Sequence, residues 1–382
     1  MLFGKTIVVT GVSSGIGART AELGAHLGAD VIGVDIKAPR RATSAAICYR
    51  NAARLDRRQN RRMLGAHRVA SHKIAIIGIG KISQDQHLPV IAKDKNFELA
   101  AIVSQRGVQQ PGVPTFRTPA ELYAALPAVE VVAICTPPHV RHAIAREALN
   151  AGKHVLLEKP PTPTTAELVD LSEHAKARRR VIFATWHSQY NAAVDEAKRR
   201  LAGRKLRSLV IEWKEDVRRW HPGQEWIWEA GNFGVFDPGI NALSILTKIS
   251  PGAFFVKSAT LAFPANRDTP IAASLAFSSL AAENSSSRLA AEFDWRQEGE
   301  QSWNIDIATA EGEALRLTDG GSKLFVNGAP ALEAPMAEYE GIYRHFGELL
   351  AANRSAIDGA PLQLVADAFL VGRRVETASF NW

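Results

Sequence analysis

The chain has 382 residues, of which 46% are hydrophobic and 22% are charged, which suits two or three domains and excludes a chain that is disordered throughout. Its formal net charge of +7 suggests contact with nucleic acid, but residues 40–68 alone carry nine arginines and one aspartate. Two cysteines, Cys48 and Cys135, are too few for a disulfide framework or a metal cluster. No apolar run has the length of a membrane span, and no signal peptide is visible. We therefore expect a cytoplasmic protein that binds neither membranes nor nucleic acid and holds no metal.

Residues 1–39 have the pattern of half a dinucleotide-binding unit. A strand, a glycine-rich turn over residues 11–17, a helix and a second strand that ends at Asp35 follow one another. The turn resembles the start of short-chain dehydrogenases/reductases, but that family's catalytic Tyr-x-x-x-Lys is absent, since neither Tyr49 nor Tyr123 has a lysine four positions later. About 40 residues cannot bury an independent core. We predict a truncated fragment without catalytic activity.

Residues 40–68 lose apolar periodicity and are rich in arginine. Such a composition predicts a solvated linker. An arm that tethers the protein to nucleic acid or to anionic membranes is the alternative, although no ladder of aromatic residues accompanies the arginines. Met63 is the only methionine between Met1 and Met336, so a protein that begins near Met63 would retain all of residues 69–382.

From residue 69 to about residue 188 the pattern alternates between strands and helices. The predicted strands are 73–78, 97–103, 129–135, 154–157 and 181–185, and the predicted helices are 83–93, 119–125, 139–151 and 164–176. This alternation predicts a doubly wound parallel sheet, a Rossmann domain.

Residues 189–382 have longer alternating strands. The predicted strands are 208–214, 256–263, 272–280, 288–295, 303–308 and 314–318, and the predicted helices are 191–202, 235–248, 337–352 and 361–378. They predict an α+β domain with a large, open, mostly antiparallel sheet. The last helix is in a position to pack back on the Rossmann domain.

A second glycine turn, Gly78-x-Gly80-x-x-Ser83, follows a strand and opens a helix. Glycines there let backbone amides approach a pyrophosphate, so Gly78, Gly80, Lys81 and Ile82 are candidate cofactor-binding residues. The alternative is a tight turn without a ligand.

The end of the next strand predicts which dinucleotide binds. Ser104, Gln105 and Arg106 stand where an acid would select NAD. Without that acid, Ser104 and Arg106 can bind a 2′-phosphate, so we expect NADP as the preferred cofactor, with dual use of NAD as the alternative. Arg106 could instead be a solvated loop charge.

Polar residues follow two further strands at the edge where ligands bind in such sheets. Thr136, Pro137 and His139 follow one strand and can shape the nicotinamide pocket, although His139 could simply begin a helix. Glu158 and Lys159, followed by Pro160, end the next strand. A cis Lys159–Pro160 peptide would direct Lys159 into the cleft; a surface lysine is the alternative.

Asp237 and Asn241 are four residues apart and therefore share one face of a predicted helix. Asp237 is a candidate for proton transfer, with simple N-capping as the alternative.

In their order, the turn at residues 78–80, Glu158-Lys159-Pro160 and Asp237-x-Gly239-x-Asn241 resemble the Gfo/Idh/MocA oxidoreductase family over residues 73–382. The resemblance implies a Rossmann domain and an open-sheet domain that forms a homodimer. Many members carry histidine where this chain has Asn241, and a neutral amide cannot take a proton, so Lys159 or Asp237 would be the base.

Within that family, Asn241, the run Gln86-His87-Leu88-Pro89 and the tryptophans of residues 186–232 resemble the bacterial aldose 1-dehydrogenases for L-arabinose or D-galactose. The resemblance implies oxidation of a cyclic sugar at C1 to the aldonolactone, with hydride transfer to nicotinamide. The residues implied for this site are catalytic Lys159, Asp237 and Asn241, cofactor-binding Glu158 and Lys159, and sugar-binding His187, Glu215, Trp220, Asn241 and Lys159. Two alternatives stay open: another reaction of the family (inositol or dihydrodiol oxidation, or a reduction), and a nonenzymatic NADP-binding regulator.

Overall fold

The computed structural model describes residues 71–335 and 337–382, and within residues 1–70 only three strands. The chain divides into two compact units, residues 1–70 and 71–382. In the first unit, β1 (Thr6–Thr10), β2 (Asp30–Asp35) and β3 (Ile47–Asn51) pair in parallel in that order. The first two strands match the prediction.

The third strand, β3, was not predicted, because the arginine-rich composition of residues 40–68 predicts a solvated linker at this position. Its five residues, ICYRN, include an isoleucine and a tyrosine, which favour strands. The glycine turn of residues 11–17, its predicted helix and Met63 lie outside the described residues.

The second unit begins with a six-stranded sheet that confirms the predicted doubly wound Rossmann arrangement. All its strands are parallel, in the order β6-β5-β4-β7-β8-β9. They are β4 (His72–Ile77), β5 (Phe97–Val103), β6 (Thr115–Phe116), β7 (Val131–Ile134), β8 (His154–Leu157) and β9 (Ile182–Ala184). The strand order reverses at β4, so the crevice at the carboxyl ends of β4, β5 and β7 is where such sheets bind ligands.

The helices around this sheet start where the sequence places N-terminal signals. They are α1 (Leu88–Ile91), preceded by a π-helical turn over Ser83–His87, α2 (Pro119–Ala125), α3 (Pro138–Asn150) and α4 (Thr165–Arg178). Thr118 with Glu121 and Thr164 with Glu167 form capping boxes before α2 and α4, which satisfy the first backbone amides of each helix.

A nine-stranded sheet forms the second layer, in the order β17-β16-β15-β14-β10-β13-β12-β11-β18. Only β10 with β13 and β11 with β18 pair in parallel, so the predicted mostly antiparallel sheet is confirmed. Its strands are β10 (Leu206–Lys214), β11 (Phe254–Pro264), β12 (Ala272–Ser279), β13 (Arg288–Asp294), β14 (Ser302–Thr309), β15 (Ala314–Thr318), β16 (Lys323–Val326), β17 (Ala329–Glu333) and β18 (Gly372–Thr377). Buried and accessible residues alternate along β10 and β13, so one face of the sheet packs on a core.

The helices of this part are α5 (Ala192–Leu201), α6 (Val217–Trp220), α7 (Phe236–Ile249), α8 (Glu338–Ala351) and α9 (Ala360–Val371). The predicted helix over residues 361–378 is wrong in its second half, because α9 ends at Val371 and β18 follows. A Cβ on Gly372 would lie 2.4 Å from the carbonyl oxygen of Ala368. Glycine, which has no Cβ, permits this close approach at the point where the chain leaves the helix and pairs with β11.

Helix α8 packs on the Rossmann sheet although it follows the second sheet in sequence. Tyr339, Tyr343 and Phe346 are buried in one cluster with Ile74 and Ile76 of β4. The buried residues of α9 join the core of the second sheet, together with Leu168 of α4. Among the helices that the structure describes, none has the length and apolarity that a membrane crossing requires.

Candidate active site

The glycine turn after β4 has an open backbone face that fits a pyrophosphate. Gly78 has φ +92°, and a Cβ there would lie 2.8 Å from Thr136 Cγ2 and from Thr136 N. Above Gly80, in contrast, a Cβ would meet no atom within 4 Å. Gly80 N donates to Ser83 Oγ at 2.8 Å, so the serine in the third position closes the turn. The turn can therefore hold a dinucleotide phosphate against its backbone.

The residues beside this turn differ in exposure. Lys81 is exposed and forms an ion pair with Asp85, whereas Ile82 is half-buried against the Rossmann core. Whether either contacts a cofactor remains a prediction.

The loop after β5 carries one cation, Arg106, and no acid, and a second cation reaches it from a neighbouring segment. Ser104 is buried and its hydroxyl accepts a hydrogen bond from Val108 N at 3.1 Å, while Gln105 and Arg106 are exposed. Arg117, which the sequence analysis missed, donates from Nη1 to the carbonyl oxygen of Gln105 at 2.6 Å. It comes from a different segment, just before α2, so only the pairing of β6 with β5 brings it to this loop.

The turn after β7 offers an unused hydrogen-bonding group. Thr136 Oγ1 is buried and has no hydrogen-bond partner among the described residues. Pro137 is the N-cap of α3, and His139 is exposed in the first turn of that helix. A buried polar atom without a partner is costly, so a ligand at this edge would satisfy Thr136. These residues fit a nicotinamide dinucleotide.

Lys159 and Asp237 meet across the interface of the two layers. Lys159 Nζ donates to Asp237 Oδ1 at 3.2 Å and to the Asp237 carbonyl oxygen at 2.9 Å. Their side chains are only 15% and 14% exposed. The Lys159–Pro160 peptide is cis, as the sequence suggests.

Asp237 lies in the first turn of α7, two residues after the N-cap Val235, so it is not a capping residue. Burial would raise the pKa of Asp237, but Lys159 and His221, with Arg141 further away, outweigh it and lower the pKa. Asn241 lies one turn further along α7 and is half-buried. The pair therefore joins a carboxyl group whose ionised form is favoured to the lysine amine in a mostly water-excluded place.

His221, immediately after α6, is a third member of this group that the sequence analysis missed. Its Nε2 lies 3.5 Å from Asp237 Oδ2. Burial, the main cause, lowers the pKa of His221, so the imidazole is neutral at pH 7. The sequence signal that could have identified His221 was its position next to Trp220, in the tryptophan-rich segment.

Glu215 is enclosed by two tryptophans at the end of β10. Its carboxylate, in a residue only 7% exposed, accepts from Trp295 Nε1 at 3.2 Å and from Trp303 Nε1 at 3.0 Å. Burial raises the pKa of Glu215 to about 7. Trp220 packs edge-to-face on Trp303, with ring centroids 5.7 Å apart, and is half-buried. The structure thus brings Glu215 and Trp220, both predicted to bind sugar, to one aromatic wall.

His187 follows β9 and pairs with Glu338 of α8, Nδ1 to Oε2, at 3.0 Å. Burial would lower the pKa of His187, but Glu338 outweighs it and raises the pKa. Other tryptophans of the predicted substrate segment, Trp186 and Trp228, are each 2% exposed and belong to the core.

Glu158 faces the protein interior. Its Oε1 accepts from His87 Nε2 at 2.9 Å and from Tyr339 OH at 2.9 Å, and its Oε2 accepts from Lys159 N at 3.0 Å. Burial would raise the pKa of Glu158, but the hydrogen bond and charge of His87 lower it to about 2. At 2% exposure the side chain supports the backbone of Lys159 rather than presenting an open face to a cofactor, so the predicted cofactor contact of Glu158 stays a prediction.

A Rossmann sheet with a phosphate-binding turn, and a lysine–aspartate pair where helix α7 of the second domain meets the turn after β8, define a two-domain dinucleotide-dependent oxidoreductase. Residues 72–185 match a family described as oxidoreductases with an NAD-binding Rossmann fold. A galactose 1-dehydrogenase of Pseudomonas fluorescens is 44% identical over 310 residues, which are 81% of this chain and 98% of that protein. The chain belongs to the Gfo/Idh/MocA oxidoreductase family, as its motifs predict.

Solved structures agree with this assignment. The crystal structure of D-galactose-1-dehydrogenase from Rhizobium etli has a TM-score of 0.77 and 47% identity, over 82% of this chain and 98% of that one. A 3-ketoreductase from Actinomadura kijaniata, solved with NADP, has a TM-score of 0.66 at 16% identity, over 80% of this chain and 99% of that one. The second likeness shows the fold alone.

Proposed function

We propose that this chain is an NADP-preferring aldose 1-dehydrogenase that oxidises a cyclic sugar, such as D-galactose or L-arabinose, at C1 to the aldonolactone. The observation that carries the proposal is the Lys159–Asp237 ion pair, which lies near Glu215 and His221 at the covered edge of the Rossmann sheet. Two galactose 1-dehydrogenases at 44% and 47% identity support the substrate class.

The reaction removes a hydride from C1 and a proton from the C1 hydroxyl, so that the C1–O bond becomes the lactone carbonyl. A nicotinamide dinucleotide held by the turns after β4, β5 and β7 would supply the hydride acceptor when bound. Lys159 and Asp237 form the acid/base pair that takes up the hydroxyl proton, and Asn241 holds the C1 hydroxyl or the ring oxygen by hydrogen bonds. His221, neutral and next to Asp237, can pass that proton onward.

Glu215, Trp220 and His187 are the proposed sugar-binding residues. A tryptophan face packs against the C–H face of a pyranose, and fixed polar groups bind its hydroxyls. Glu215 keeps acceptor capacity beyond its two tryptophan bonds, since each carboxylate oxygen can accept more than one hydrogen bond.

The preference for NADP rests on the loop after β5, which contains Arg106 and no acid and which Arg117 contacts through the Gln105 carbonyl. A guanidinium pairs strongly with a phosphate. We expect Arg106→Ala to raise the KM for NADP about tenfold and to leave the KM for NAD unchanged, which steady-state kinetics with both cofactors would measure. An equal rise for both cofactors would argue against a 2′-phosphate contact.

We also propose that the chain forms a homodimer through the nine-stranded sheet. One face of the sheet packs on a core, while residues such as Ser274 and Glu292, which form a cross-strand pair, remain exposed on the other. Light scattering during size-exclusion chromatography would measure the mass. A monomer at micromolar concentration would contradict the dimer and leave the proposed activity untouched.

The decisive experiment is a panel of substrates with NAD and with NADP, followed by nicotinamide absorbance. We expect turnover with D-galactose or L-arabinose, and faster turnover with NADP. The panel also contains D-fucose, D-xylose, myo-inositol and a dihydrodiol. No turnover with any of the four aldoses would refute the proposal, and turnover with only the inositol or diol would favour another reaction of the family.

A further inference from the structure

Arg141 of α3 is a buried cation at the candidate site that takes no part in the chemistry described above. The residue is 5% exposed. Its Nε donates to the carbonyl oxygen of Thr136 at 2.7 Å, and its Nη1 donates to the carbonyl oxygen of Glu158 at 2.6 Å and to that of Pro160. All three acceptors are backbone atoms.

These acceptors belong to the two turns that form the candidate site. Thr136 lies in the turn after β7, whose residues are proposed to line the nicotinamide pocket, and the carbonyls of Glu158 and Pro160 flank Lys159 on both sides. A single rigid guanidinium therefore joins the cofactor turn to the lysine turn. From the other side, the Lys159 amide is held by Glu158 Oε2 at 3.0 Å.

Keeping a cation here is energetically unfavourable. Burial lowers the pKa of Arg141, and among the described residues no carboxylate lies within ion-pair distance of its guanidinium. Glu158 and Asp237 offset part of this effect from further away, but burying a charge without an adjacent counter-ion costs several kcal/mol in general. An apolar side chain of similar size would fill the same space without that cost. The guanidinium instead donates hydrogen bonds to three carbonyl oxygens that would otherwise lack a donor from this side.

We propose that Arg141 is a positioning residue, which fixes the main chain on both sides of Lys159 against the Thr136 turn and so holds the lysine amine over the nicotinamide pocket. The proposal rests on the proposed function for its kinetic readout. A misplacement of about 1 Å at a reacting group costs about 100-fold in rate. A lysine at position 141 would keep the positive charge. It lacks the planar guanidinium group, whose several N–H donors can reach both turns at once.

Three variants test the proposal: Arg141→Lys, Arg141→Ala and, as a matched control, Arg146→Met. Arg146 lies on the same helix but pairs with Asp170 at the partly exposed surface. We expect kcat of Arg141→Ala to fall about 100-fold, the Kd of NADP to change less than about threefold, and methylguanidinium to restore at least about a tenth of kcat. Arg141→Lys should lose at least about tenfold in kcat without rescue, while Arg146→Met retains the wild-type rate.

A crystal structure of Arg141→Lys with bound NADP gives a readout that is independent of any substrate. We expect Lys159 Nζ to leave hydrogen-bonding distance of Asp237 while the core stays unchanged. Wild-type kcat in Arg141→Lys, or an unmoved Lys159 in that structure, would overturn the proposal, as would a loss in Arg141→Ala that methylguanidinium leaves unchanged. Absence of aldose turnover by the wild-type protein would refute the proposed function instead, and the Lys159 position would still decide the role of Arg141.

Discussion

At the scale of residues, the site depends on ionisable groups that are brought together from distant parts of the chain. Lys159 and Asp237 are 78 positions apart in sequence and 3.2 Å apart in space. Lys159 lies in the turn two residues after β8, and Asp237 lies in the first turn of α7. The turn of Lys159 is held by hydrogen bonds with Arg141 and Glu158, so both groups have fixed positions.

Replacing Lys159 tests the acid/base assignment. We expect Lys159→Met to lower kcat by about 10²- to 10⁴-fold, because proton transfer by a positioned group contributes that much. The Kd of NADP, measured by the quenching of tryptophan fluorescence, should change less than about threefold. Lys176→Met is the matched control, since the side chain of Lys176 is 81% exposed on α4. A Lys159→Met enzyme with a near-normal rate would reject the catalytic role.

Replacing Glu215 tests whether the pKa of its carboxyl group is raised in the folded protein. Its pKa of about 7 in the folded protein lies above the ordinary value of 4.5, so its stabilising contribution is fully present below pH 4.5 and is lost as the pH rises through 7. A difference of this size corresponds to about 3 kcal/mol. Glu215→Gln carries no such titration, so its Tm relative to wild type should rise between pH 5 and pH 8.

Thermal unfolding at a series of pH values measures this difference. Glu311→Gln, in the exposed loop between β14 and β15, is the control, and its Tm should follow that of the wild type at every pH. Parallel curves for Glu215→Gln and wild type would show that Glu215 is ionised throughout this range.

At the scale of elements, the strands and helices with a clear apolar period were predictable. The strand Phe97–Val103, the helix Pro119–Ala125 and the strand Ala314–Thr318 have the predicted bounds. The strands β16, β17 and β18 were not predicted. The first two are short, with four and five residues, and β18 continues directly from a helix, so no turn residue separates the two patterns.

Gly372, where α9 becomes β18, offers a test at this scale. A Cβ there would lie 2.4 Å from the carbonyl oxygen of Ala368 and 3.1 Å from Leu261 Cδ1, so Gly372→Ala must displace backbone. We expect a loss of about 1–3 kcal/mol, seen as a Tm lower by several degrees.

Gly359→Ala is the matched control at the other end of α9, because a Cβ there would meet only Leu168 Cδ2 at 3.6 Å. Its Tm should stay close to that of the wild type. A Gly372→Ala protein as stable as this control would show that the backbone at the α9–β18 junction adapts freely.

At the scale of the whole molecule, all the candidate site residues lie in the unit of residues 71–382. We therefore expect a shortened chain that begins at Met63 to keep kcat and both KM values within about twofold of the full chain, because each site contact described here is internal to that unit. Steady-state kinetics on the two proteins would measure this. A tenfold loss in the shortened chain would show that residues 1–62 support the site.

The same comparison addresses the positive charge of the chain. Nine arginines lie within residues 40–68. If they formed a nucleic-acid arm, the full chain would bind DNA in a salt-dependent manner and a chain of residues 69–382 would bind it more weakly. We expect instead that neither protein binds DNA.

The sequence by itself determined the fold class and the family, and it predicted Lys159, Asp237 and Glu215 as candidate site residues. Hydrophobic period and glycine turns act over a few residues, so they remain readable without the fold. The tertiary structure alone decided which groups meet: His221 with Asp237, Arg117 with the loop after β5, and Arg141 with the two turns around Lys159. These contacts join separate segments of the chain, and no periodic pattern in the sequence indicates which segments meet. For the same reason, only the fold showed that the carboxylate of Glu158 is held by His87 and Tyr339.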